Sequence, residues 1–165
     1  KQLAPIRFNA LREILSAKTL DSAALKEFWR KLTAAERVDA GLAGVGARAF
    51  AGVGMSDEAQ DIVERALANQ WDSDLALLYA DIVSEKPLTQ IERAETWLKT
   101  HPNDAQLLLA LGKLCADEKL WGKAQSYIEA SLSIEQSRPA HAAYAQLPHK
   151  TRNSAQALRY TRRHP

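Results

Sequence analysis

Cysteine occurs once in the 165 residues, as Cys115. That excludes an intrachain disulfide framework and a cysteine-rich zinc site, and fits a reducing compartment. An excess of either charge is lacking too: 22 basic side chains face 20 acidic ones, for a net charge of +2. This balance is too even to steer a whole protein toward nucleic acid, so any electrostatic function must be local. No apolar run approaches the roughly 18 residues of a membrane span. The longest candidate, "AGLAGVGARAFAGVG" from Ala40 to Gly54, is interrupted by Arg48 and rich in glycine. The chain begins at Lys1, with neither a methionine nor a signal-peptide pattern. It is therefore expected to be a fragment whose parent carries any targeting segment upstream.

What is present reads as a helical protein. Hydrophobic residues make up 46% and charged residues 25%, ordinary proportions for a globular chain long enough to bury one core. Leu25, Phe28, Trp29 and Leu32 fall at i, i+3, i+4 and i+7, one face of a helix, and Asp21 or Ser22 can accept the free N–H groups of its first turn. "TAAE" at Thr33–Glu36 has capping-box spacing and opens a segment with Val38, Leu42 and Val45 on one stripe; "TQIE" at Thr89–Glu92 has the same spacing. Ser56, followed by Asp57 and Glu58, is a cap with two negative charges where a helix N-terminus is electropositive. Pro87, Pro102 and Pro139 are placed between periodic segments, where a missing N–H does no harm. The pattern predicts ten helices, at roughly 4–17, 22–32, 34–54, 57–69, 74–84, 90–100, 104–117, 121–135, 139–147 and 154–163, alternating as hairpins.

The hairpins repeat. Leu108, Leu111, Gly112 and Cys115 are followed by Ala124, Ile128 and Ser131, the order of a tetratricopeptide unit, in which small residues let paired helices approach and larger ones fill the space on either side. Ala43, Gly46, Ala47 and Phe50, followed by Ala59, Val63 and Ala66, repeat it at the same offsets. A looser set comprises Leu75, Leu78, Tyr79 and Ile82, then Ile91, Ala94 and Leu98. The spacings between Ala59, Ala94 and Ala124 straddle the roughly 34 residues expected of such a repeat. The last pair, around Tyr144, Leu147, Ala155 and Leu158, looks like a terminal cap. The expected fold is all-α: a right-handed α-solenoid of about five helical hairpins, tetratricopeptide-like, as a single domain over 1–165. The glycines at 41, 44, 46, 52 and 54 each cost about 1 kcal/mol relative to alanine inside a helix. Close helix packing is the expected return, with a hinge near 41–46 as the alternative.

"NQWDSDLALLYAD", "AETWLKTHPNDAQLLLALGKLCADEKLWGKAQSYIEASL" and the upstream "LKEFWRKLTAAERVD" resemble, in order and spacing, the C-terminal repeat region of the HemY family of bacterial protoheme IX biogenesis proteins. The resemblance spans roughly residues 22–163, and its most specific parts are Gln70-Trp71-Asp72, Trp97 to Pro102, and Leu120-Trp121-Gly122-Lys123-Ala124. It implies two membrane helices upstream, a repeat domain on the cytoplasmic side of the bacterial inner membrane, and a link to a late stage of haem synthesis. It implies no catalytic residue.

The residues themselves offer little chemistry. His101, His141, His149 and His164 form no HExxH motif and no i, i+4 pair, so no metal site is expected. His101 is read as a helix-end residue beside Pro102. Cys115 takes the aromatic position of the repeat and is read as a small buried hydrophobe. Trp29, Trp71, Trp97 and Trp121, at or near helix ends, are read as packing between hairpins, with a tetrapyrrole-stacking platform as the alternative. No phosphate loop, paired catalytic carboxylates or Ser-His-Asp set is present, and an enzyme is not expected.

Two surfaces remain. Lys150, Arg152, Arg159, Arg162 and Arg163 form an acid-free C-terminal basic patch, read either as cations stabilised by a helix C-terminus or as a docking patch for carboxylates or lipid headgroups. Arg48 and Lys113 hold matching repeat positions on the expected concave side, where both can hold carboxylates of a partner. The expected function is a non-catalytic scaffold for protein partners, haem-biosynthesis enzymes among them. The rival readings are a direct porphyrin or haem carrier and a general peptide-binding adaptor.

Overall fold

In the computed structural model, the residues described are 5–16 and 20–152, and among them every regular element is an α-helix. The ten helices are α1 (Pro5–Ser16), α2 (Ser22–Arg30), α3 (Ala34–Arg37), α4 (Ala40–Gly52), α5 (Ser56–Asn69), α6 (Ser73–Tyr79), α7 (Pro87–Thr100), α8 (Ala105–Asp117), α9 (Trp121–Ile134) and α10 (Arg138–Ala145). A further helical turn occupies 149–152. The helix expected at 154–163 lies outside the described residues. The chain forms two compact units, Lys1–Glu85 and Lys86–Pro165.

In the first unit α4 is the hub, touching α1, α2, α3, α5 and α6. Its glycines explain how so many neighbours reach it. A methyl group at Gly46 would collide with the ring of Trp29, whose Cη2 stands 2.7 Å from the ideal Cβ position, and one at Gly41 would come 2.5 Å from Phe8 Cζ. Trp29 then meets Phe50 edge-on at 6.1 Å, a favourable aromatic geometry. Close packing is thus the return at Gly41 and Gly46, while Gly54 is a left-handed turn residue beyond the helix end. Leu25, Leu42, Ala43, Ala47, Ala59 and Val63 are buried around the same helix, each leucine contributing about 2 kcal/mol by leaving water.

One carboxylate is buried in this unit. Glu36 is fully enclosed and accepts from Arg7 through both oxygens, Nε to Oε2 at 2.7 Å and Nη2 to Oε1 at 3.0 Å. Its Oε1 also accepts from the Thr33 N–H at 2.9 Å, while the Thr33 hydroxyl accepts from the Glu36 N–H, completing the expected capping box. The Arg7 hydrogen bonds, more than the Thr33 contacts, hold the Glu36 carboxyl down at about 2, because they favour its charged form.

The second unit is built on α8, which packs against α7, α9 and α10. Leu107, Leu108, Leu109, Ala110, Leu111, Leu114 and Cys115 are all buried along it. Gly112 lets α9 approach: a Cβ there would collide with Ile128 and lie 3.3 Å from the Ala124 carbonyl oxygen. Across the same contact the Ser131 hydroxyl donates to the Ala105 carbonyl at 2.7 Å.

The hairpins α4–α5 and α8–α9 share one local register, 65 residues apart. Asp39 accepts from the Leu42 N–H and Asp104 from the Leu107 N–H. Each first helix ends in a left-handed residue, Gly54 at φ 81° and Lys119 at φ 58°. The next N–H then donates back over the turn, Met55 to Phe50 and Leu120 to Cys115, both at 2.9 Å. The second helices close alike, with Gln70 N–H donating to Ala66 and Glu135 N–H to Ser131 at 2.9 Å. Asp72 and Ser137 then cap α6 and α10.

Several expected boundaries are corrected. The segment 34–54 is two helices, because the Asp39 side chain captures the Leu42 N–H and starts α4 afresh after a one-turn α3. Ser56 is the first residue of α5 and does not cap it; Met55 stands at the cap position with no side-chain hydrogen bond. Thr89 lies inside α7, which begins at Pro87, so "TQIE" caps nothing. Pro87 and Pro139 stand in first turns of helices and not between them, positions where their missing N–H has no helical partner to lose. The helix expected over 74–84 stops at Tyr79.

Candidate functional site

One face of α4 lines a concavity of the first unit. Two adjoining cavities share Arg12, Val45 and Arg48. One, of about 610 Å³, is walled by Leu15, Leu20, Leu25, Ala49 and Val53 beside the two arginines. The other, of about 460 Å³, runs over Ala40, Gly41 and Gly44 toward Asp72, Asp74 and Asp81. The α4 residues concerned, 40, 41, 44, 45, 48, 49 and 52, with Val53 just after them, recur every three to four positions, one face of a helix about 20 Å long. Because five of them are glycine or alanine, the floor is low. Leu75 and Leu78 of α6 stand 3.5 and 3.9 Å from the ideal Cβ position of Gly44, forming part of the wall.

Arg48 is exposed on this floor and Arg12 comes to it from α1. Neither makes an ion pair among the described residues. Asp72 is engaged as the α6 cap, accepting from the Leu75 N–H at 2.9 Å. The site therefore has an apolar end, a guanidinium pair in the middle and a carboxylate end.

Lys113, the counterpart of Arg48 in the second unit, is half-buried and lines a smaller cavity of about 230 Å³ with Asp117, Trp121, Ile128, Gln146 and Leu147. It lies against a carboxylate-bearing wall and makes an interaction of its own. Of the basic patch, Lys150 is exposed and Arg152 half-buried in the turn at 149–152, whereas Arg159, Arg162 and Arg163 lie outside the described residues.

The remaining reactive side chains are accounted for by packing. Cys115 is wholly buried, and burial pushes its thiol up to about 11, the direction that suppresses a thiolate. Beside it Lys123 pairs with Glu95 at 2.9 Å, and Tyr127 is raised by its own burial and then by Glu95. His101 ends α7, its N–H donating to the Trp97 carbonyl at 3.0 Å. Among the described residues no three or more His, Cys, Asp or Glu side chains gather as a metal site, and no helix is long and apolar enough to cross a membrane.

The repeat register pointed to Arg48, but Arg12 and the three aspartates were missed. Arg12 belongs to the site only because α1 lies on α4, a tertiary fact with no local spacing. The available signal was the small-residue stripe of α4 interrupted by a single arginine. The fold class so defined is all-α, with two hairpins in one register. No protein-family model, curated protein or solved structure matches the chain.

Proposed function

We propose that this chain is a non-catalytic, tetratricopeptide-like scaffold that binds protein partners through the α4 groove. The observation that carries the reading is the groove itself: a preformed trough floored by small residues, with two arginines engaged in no ion pair among the described residues. Rigid helix pairs set the spacing of such a surface, and binding then needs no active-site chemistry. The shared 65-residue register of α4–α5 and α8–α9 supports the solenoid part of the proposal, since stacked like units are what a helical repeat requires. The HemY resemblance supplies the setting: partners among haem-biosynthesis enzymes at the cytoplasmic face of the bacterial inner membrane, with an anchor upstream.

The test is a pull-down of haem-pathway enzymes with the chain and with Arg48→Glu and Lys113→Glu. Loss of recovery with Arg48→Glu is expected, and unchanged recovery with both substitutions would refute groove binding.

A direct porphyrin or haem carrier is the second reading, favoured by the apolar cavity of about 610 Å³ bordered by two guanidinium groups, a fit for a flat apolar ring bearing carboxylates. A saturable Soret shift at stoichiometric haem supports the carrier, and its absence removes it. Retention of many unrelated acidic peptides would instead mark a general adaptor.

A further inference from the structure

We propose that the α4 groove takes an extended peptide segment whose side chains run apolar, then acidic, then basic, in that order. The inference rests on the protein-binding reading above and specifies the partner's chemistry. Three observations carry it. The end of the groove beside the C-terminal half of α4 is lined by Leu15, Leu20, Leu25 and Val53, with no acidic side chain. Arg12 and Arg48 border both cavities and so stand where the two meet. Beyond them, along Ala40–Gly44, the opposite wall carries Asp72, Asp74 and Asp81.

A ligand of one charge sign would find half of this surface repulsive. A purely apolar ligand would leave two guanidinium groups to be desolvated without a partner, which is costly. The mixed order satisfies all three parts, with carboxylates reaching planar guanidinium forks in the middle. Size agrees. A floor about 20 Å long spans roughly six residues of extended chain at about 3.3 Å each, and the glycines let a backbone lie close to α4. Alternate side chains of such a segment point into the groove, so specificity resides in every second residue.

The test uses fluorescence anisotropy with the whole chain and a dye-labelled octapeptide of three leucines, two aspartates and three lysines in that order. A second peptide of the same composition has the lysines in the middle. Saturable binding of the first, at least tenfold tighter than the second, is expected. Arg48→Glu should weaken the first peptide at least tenfold, and Asp74→Lys severalfold, with unchanged circular dichroism. In the reciprocal arm, Arg48→Asp should gain affinity for the peptide with central lysines. Equal binding of the two peptides, or indifference to Arg48→Glu, would overturn the proposal. So would binding of lysophosphatidylethanolamine with no peptide binding, because that lipid presents the same apolar, anionic, cationic order. Failure of the peptides alongside intact, Arg48-dependent recovery of partner proteins sinks this inference alone; failure of recovery with intact peptide binding sinks the choice of partners.

Discussion

The hairpins α4–α5 and α8–α9 have the same caps, turns and helix lengths, yet fill their space by opposite means. At the position held by Leu111 in α8, fully buried, α4 has Gly46, and the ring of Trp29 from α2 lies against it. One residue on, the roles reverse: α8 uses Gly112 to admit Ile128, where α4 has the buried Ala47. The helix with more leucine supplies its own core, while the glycine-rich helix imports side chains from its neighbours. Backbone register and side-chain volume are thus separately set. The first follows from a cap and a left-handed turn residue, the second from whichever element supplies the atoms.

The sharpest way to break the likeness is Gly112→Val, which drives a branched side chain into Ile128 and the Ala124 carbonyl. A loss of about 3 kcal/mol is expected, read as a lower urea midpoint. Gly46→Ala should cost less, because the atoms it meets belong to the half-buried ring of Trp29 and not to backbone.

Next in size is Glu36→Ala, which removes a capping box and a two-pronged arginine contact of the first unit, for about 2 kcal/mol at neutral pH. Glu36 is held well below the usual carboxylate value of 4.5, at about 2. Its contribution is therefore complete above about pH 4.5 and fades as the pH falls from there through 2. Chemical denaturation at a series of pH values should show that acid loss in the native chain and a flatter profile in Glu36→Gln. An unchanged profile would deny Glu36 the role.

The turn offers a test in which the two hairpins should respond with opposite sign. Gly54 and Lys119 share the left-handed region, but only the lysine carries a Cβ there. Lys119→Gly should stabilise and Gly54→Ala destabilise, each by about 1 kcal/mol. Equal signs would mean the two turns are not alike. Smallest of all is the response of Cys115 to a thiol reagent: full burial predicts negligible labelling at pH 8 until denaturant is added, followed by one thiol per chain.

Much of this was legible in the chain, for identifiable reasons. Asp21 and Thr33 announce helix starts because a short polar side chain just ahead of an apolar stripe has few other uses. Asp39 went unnoticed because Val38, Leu42 and Val45 keep helical spacing across the break, and periodicity alone cannot see a corner that leaves the phase unchanged. Ser56 and Thr89 misled for the opposite reason: each has capping chemistry, but Met55 and Lys86 take the cap positions instead. For the site, Arg48 could be read from the repeat, whereas the aspartates of the far wall depend on how α6 lies beside α4, which nothing in local spacing encodes.

Gly52 has nothing within 4 Å of where a side chain would begin, and at Gly44 an added methyl would meet Leu75 only at ordinary contact distance. Alanine at either place should firm α4 by up to about 1 kcal/mol, so the native helix is softer than its surroundings oblige it to be. Stiffness and bore are adjusted by the same two residues: each methyl group that steadied the rod would also raise the bed of the channel, and a guest backbone would have to ride higher.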